Sequence, residues 1–192
     1  MLTQLEIIND AIKGVGLAPV SSIDSKLPSF LKAKATFDRV NSEVQLRGWW
    51  FNDYERTLQP NTQGKIIVPQ YAQSAYIADR PMVVIRGSTL YDHAADTDVF
   101  SGPLRARIVT LLPIEMVPAV ARNYIAARTK LAHYIDEDGQ DPKLTTYTNA
   151  MTEAEFRLVA HDTRNRQVSS QESTQKLSMK YPTSRSIRVR GR

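Results

Sequence analysis

Carboxylates, histidines and one serine–lysine pair are the side chains of this chain whose types and spacing could do chemistry. Asp92, Asp96 and Asp98 form one acidic cluster, and Asp136, Glu137, Asp138 and Asp141 form another. Two carboxylates flanking a sugar, one of them held protonated, would cleave a glycosidic bond, ordinarily in a cleft lined by aromatic rings. The second cluster instead spans the end of one expected helix and the start of the next, where acids satisfy free N–H groups and solubilise the turn. His93, His133 and His161 fall in a turn-rich segment and on two separate expected helices. They lack the i, i+3 or i+4 spacing of ligands on one helix face, so solvated or interfacial histidines are expected and no metal site. Ser29-Phe30-Leu31-Lys32 has the Ser-x-x-Lys spacing of a penicillin-recognising enzyme but none of the partner motifs. Ser29 has a sufficient task as a helix cap. Gly14-Val15-Gly16 is half of a dinucleotide fingerprint, with Pro19 standing where the third glycine belongs. Cysteine is absent, which removes disulfides, thiolate nucleophiles and cysteine-containing zinc sites. The expectation is a chain with no catalytic residues, no metal and no cofactor.

The densest feature is aromatic. Arg47-Gly48-Trp49-Trp50-Phe51-Asn52 could stack bases or sugars. At a junction between a helix and a strand, however, Trp49, Trp50 and Phe51 are better suited to anchor a sheet against a bundle, with alternate rings facing in. The net charge of +5 is also localised. Residues 168–192 hold six Lys or Arg side chains against the single acid Glu172, which is the whole excess. This is a neutral body with a basic arm rather than a basic nucleic-acid-binding body. The sequence contains no run of about 18 apolar residues, so no membrane insertion is expected. No signal peptide is legible at the start, and the lack of cysteine fits synthesis in a reducing cytoplasm.

The elements that must position these residues follow from periodicity. Thr3-Gln4-Leu5-Glu6 is a capping box, and Leu5, Ile8, Ile12 and Val15 recur at helical spacing up to Gly14 and Gly16. A second helix is expected from Ser29, with Phe30, Ala33, Phe37, Val40 and Val44 on its apolar face and Gly48 at its end. From 49 to 112 the period changes to short β-prone pieces, among them 65–68, 82–86, 89–91 and 105–112, separated by Gly and Pro. Pro118 is suited to open a third helix whose face runs Val120, Tyr124, Ala127, Leu131 and Ile135. Asp141-Pro142 is suited to open a fourth, with Leu144, Tyr147, Met151, Ala154 and Leu158 in line. The expected fold is α+β: residues 1–48 and 113–167 form an antiparallel bundle of about four helices. Residues 49–112 form an inserted small antiparallel β domain, and 168–192 an extended basic C-terminal arm.

Several ordered segments resemble one family. Gly-Leu-Ala-Pro-Val-Ser-Ser at 16–22, Arg-Gly-Trp-Trp-Phe-Asn at 47–52, Leu90-Tyr91-Asp92, Asp98-Val99-Phe100, and Leu-Pro-Ile-Glu-Met-Val-Pro at 112–118 are similar, in order and spacing, to the tail tubular protein A family of short-tailed bacteriophages. The resemblance covers roughly residues 3–160. It implies a virion protein at the head–tail junction, an adaptor that self-associates into a dodecameric ring between portal protein and tail nozzle. DNA would pass through the ring during genome ejection. By analogy with adaptors whose C-termini reach into the portal, Arg185, Ile187, Arg188, Val189, Arg190 and Arg192 are the expected portal-docking residues. In their stretch, Ser186-Ile187-Arg188-Val189-Arg190 alternates apolar and basic side chains as an added edge strand would. The readings from other classes are a phage-associated glycan hydrolase using the acidic clusters and a nucleic-acid-binding accessory protein using the basic tail.

Overall fold

The computed structural model describes residues 2–137 and 143–180. The fold is α+β. Its elements are α1 (Gln4–Gly14), α2 (Pro28–Leu46), β1 (Asp53–Leu58), β2 (Ala72–Tyr76), β3 (Val83–Arg86), β4 (Thr89–Asp92), β5 (Leu104–Thr110), α3 (Ala119–Glu137) and α4 (Lys143–Lys180), with a short 3-10 turn at Ile114–Met116.

The capping box of α1 forms as its spacing requires. Glu6 N–H donates to the Thr3 hydroxyl at 3.3 Å, and the Thr3 N–H donates back to the Glu6 carboxylate at 2.8 Å. The helix ends in a Schellman arrangement: Gly16 N–H bonds Lys13 C=O, Leu17 N–H bonds Ile12 C=O, and Gly16 takes φ +80°, where a side chain would be strained. α2 begins differently from expectation. Pro28 is its first residue, Leu27 its cap without a side-chain bond, and Ser29 lies inside the first turn. The fixed φ of proline suits that first position, and it holds Leu27 in extended backbone, so the serine is not needed as a cap.

α3 is the central helix and packs against α1, α2 and α4. Its buried positions therefore occupy several sides of the helix: Ala121, Arg122, Tyr124, Ile125, Thr129, Leu131, His133 and Tyr134. The single expected stripe ending at Ile135 is wrong in detail, since Ile135 is half exposed. α2 runs antiparallel to α3, with Lys32 paired to Glu137 and Arg128 to Glu43 at opposite ends of the contact. The helical core contains Ile7, Ile8, Ile12, Phe30, Phe37, Val40, Val44, Tyr124, Ile125 and Leu158. Each buried side chain of this size contributes on the order of 1.5–3 kcal/mol.

β1, β5 and β2 form an antiparallel sheet in the order β1-β5-β2, and β3 and β4 form a hairpin closed by Gly87-Ser88. Leu58, Ile66, Val68, Ile77, Val83, Leu90, Phe100, Ala106 and Ile108 enclose a second core between them. The piece at 65–68 makes isolated bridges (Lys65 to Val99, Ile67 to Thr89) rather than a full strand. α4 continues to Lys180, past residue 168 where an extended arm is expected from the sequence. Residues 143–180 contain neither Gly nor Pro, and the first breaker is Pro182.

Candidate functional site

The turn after α2 is where the helices and the sheet meet. Gly48 has φ +71°, and a Cβ there would stand 3.0 Å from a Val109 methyl and 3.3 Å from the Asp53 carboxylate, so the chain can turn this sharply only with glycine. The next four residues fold into a tight turn in which Asn52 and Asp53 N–H both bond the Trp49 carbonyl. Trp49 is 4% exposed and donates its indole N–H to Val44 C=O at 2.7 Å. Trp50 and Phe51 are half-buried against the same core and meet edge to face at 5.1 Å. Because the segment turns, the rings do not alternate inward and outward as strand residues would.

Two buried amides fix the junction. The Asn52 side chain donates to Gln45 C=O at 2.9 Å and to Thr110 C=O at 2.8 Å, and accepts from Trp49 N–H at 2.8 Å. Gln45 donates to Leu112 C=O at 3.0 Å and to Asn41, and accepts from Leu112 N–H at 2.8 Å. Both amides thus use every donor they have, which is the condition for burying them without a penalty. Together they tie the end of α2 to the end of β5. Neither is legible in the sequence, because a lone Asn or Gln carries no periodic signal.

α4 is fastened to the same point by charge. Asp162 accepts from Trp50 N–H at 2.9 Å and pairs with Arg166 at 2.9 Å. Arg166 reaches on to Gly48 C=O at 2.9 Å and to Asp53 at 3.3 Å, and Arg107 grips Asp53 from β5. The Asp53 side chain is 4% exposed; the hydrogen bonds from Arg107 hold its carboxyl below the ordinary range, burial opposes them, and Arg166 adds to the lowering. His161 stacks on Trp50 at 6.3 Å, and Arg47 lies over the Trp49 ring while pairing with Glu155 at 2.8 Å.

The residues with chemical potential lie apart. Asp92 is buried and accepts from Ala94 and Ala95 N–H, Asp96 accepts from the Tyr91 hydroxyl, and Asp98 pairs with Lys65 at 2.7 Å. Asp136 pairs with Arg39 and Glu137 with Lys32, while Asp138 and Asp141 fall outside the described residues. Against the expectation of solvated or interfacial histidines, His133 is 1% exposed within the chain's own central helix, and burial pushes its pKa down. Among the described residues no three His, Asp or Glu side chains converge as metal ligands. No helix there is long and apolar enough to cross a membrane. The expected docking residues Arg185, Ile187, Arg188, Val189, Arg190 and Arg192 lie outside the described residues.

Comparison with known proteins bears on what this body is for. A family model described as tail tubular protein matches residues 5–179. Tail tubular protein A of Klebsiella phage KP34 is 26% identical over 170 residues, spanning 88% of this chain and 91% of the relative.

Proposed function

Because the chain belongs to the tail tubular protein family, and is thereby a structural component of a bacteriophage tail, we propose that it is the adaptor subunit joining the portal protein to the tail nozzle. In this reading many copies, twelve by analogy with the family, stand around the channel through which DNA leaves the head. The observation that carries the reading is the near end-to-end family match. It is supported by a body in which three separate elements (α2, β5 and α4) are locked at one point, Gly48–Asp53, as a load-bound ring subunit requires. The basic arm after Lys180, with Arg185, Ile187, Arg188, Val189, Arg190 and Arg192, docks on an acidic portal surface.

The test is negative-stain microscopy of the chain mixed with the portal protein of its own phage. Rings of adaptor density beneath the portal are expected. Portal particles that remain bare at saturating concentrations of this chain would overturn the adaptor reading.

A further inference from the structure

The outer face of α4 carries a second pattern that its packing on α3 does not use. Asn149, Thr152, Phe156, Val159 and Thr163 follow one another at alternating spacings of three and four residues, and all five are exposed. Phe156 and Val159 thus share one helix face with three uncharged polar side chains. Phe156 is 74% exposed and Val159 43%, on a helix where Leu158 is the only fully buried side chain among the described residues. None of the five is charged. The Thr152 and Thr163 hydroxyls already donate to the Thr148 and Val159 carbonyls of their own helix, at 2.9 and 3.0 Å. Covering this stripe therefore strands no charge and leaves those two hydroxyls satisfied.

A matching recess lies on the opposite flank of the same helix. Leu2, Ala126, Ala127, Ala150 and Ala154 line a groove of about 470 Å³ between α1, α3 and α4. Its charged members neutralise one another, Lys130 pairing with Asp10 at 3.0 Å. Phe156 follows Ala154 by two residues, roughly 200° around the helix at about 100° per residue, so it points away from its own groove.

We propose that Phe156 and its stripe on one copy seat in the alanine-lined groove of the next copy. This rests on the reading of the chain as a ring subunit, and it names the surfaces that make the ring. Knob and recess are different surfaces on one chain, so the contact is head to tail: each copy offers one of each, and the series closes into a ring where the rotation between copies allows. Neither surface carries a net charge and the stripe's threonines donate within their own helix, so the contact centres on an aromatic ring against small side chains, with the Asn149 amide of the stripe and the Asn123 and Thr146 side chains of the groove as its polar members.

The absence of cysteine gives a direct test. Phe156→Cys and Ala127→Cys are placed singly and together in the full chain, which is assembled with its portal and then oxidised. The double variant is expected to cross-link into a ladder of covalent oligomers. An equal mixture of the two single variants should stop at dimers, and Phe156→Cys alone should not cross-link. Phe156→Glu should leave the melting temperature unchanged and raise the concentration needed for ring formation roughly tenfold or more. Rings visible by microscopy without 156–127 cross-links, or dimers from Phe156→Cys alone, would overturn the interface while leaving the adaptor reading intact. Failure of the unmodified chain to form rings on its portal would overturn both.

Discussion

Asn52 concentrates more of the junction's hydrogen bonding than any aromatic residue beside it. Asn52→Ala leaves the Thr110 carbonyl and the Trp49 N–H without this partner in a dry site, at about 1–3 kcal/mol for each group left unsatisfied, while the Gln45 carbonyl keeps its bond from the Gly48 N–H. We expect it to lower the melting temperature about as much as Trp49→Ala, which deletes a buried ring at a cost of about 3–5 kcal/mol. Phe51→Ala, at a half-buried ring, should cost clearly less; equal losses for Trp49→Ala and Phe51→Ala in denaturant titrations would contradict this ranking. Asp53 adds a pH dependence. Its folded pKa is depressed, so its stabilisation is complete above the unfolded value of about 3.9 and is lost as pH falls through the folded value. Asp53→Asn should therefore destabilise by about 2 kcal/mol at pH 7, with the gap to the parent chain closing as pH drops below about 4. A gap of constant size from pH 7 to pH 3 would show that the ion pairs with Arg107 and Arg166 contribute nothing. The aromatic cluster was legible in the sequence because three adjacent rings stand out in any composition. Asn52 and Gln45 were not, because only the turn at Gly48 makes their environment dry.

At the scale of elements, periodicity revealed four helices and the switch to short strands, since each helix presents an apolar face with helical spacing. It misplaced what depends on partners. β1, Asp-Tyr-Glu-Arg-Thr-Leu, carries little apolar alternation, because its outer face is a ladder of charges in which Glu55 pairs with Arg105 and Asp53 with Arg107. α3 buries several sides because three helices surround it, so no one stripe could describe it. Hydrophobicity fades after residue 167, which predicts too early an end for α4, while nothing breaks the helix before Pro182. Truncation after Lys180 removes only the segment beyond that helix. We expect the truncated chain to keep its melting temperature and fail to assemble on the portal, as sedimentation of the mixture would show. Complete portal–adaptor rings from the truncated chain would disprove the docking role of Arg185, Ile187, Arg188, Val189, Arg190 and Arg192.

For the molecule as a whole, a structural reading carries an expectation about chemistry. Asp98, in the first acidic cluster, is held below its ordinary range by its hydrogen bond to Lys65, the reverse of the raised value a general acid needs. Purified protein should therefore release no reducing sugar from capsule or peptidoglycan. Release that is lost on Asp98→Asn or Asp136→Asn with the fold intact would refute this. The two cores also have a nested order along the chain. The sheet core is complete by Ile108, whereas the helical core begins at Ile7 and waits for Leu158. On a ribosome adding about 5–20 residues per second, the inner core has all its residues roughly 2–10 seconds before the outer one closes. During that interval the parts of the apolar faces of α1 and α2 that α3 and α4 will cover stay open, until those helices emerge. The nascent chain is therefore most exposed to a holding chaperone, and to misassembly with a neighbouring nascent copy, during the synthesis of residues 109–158.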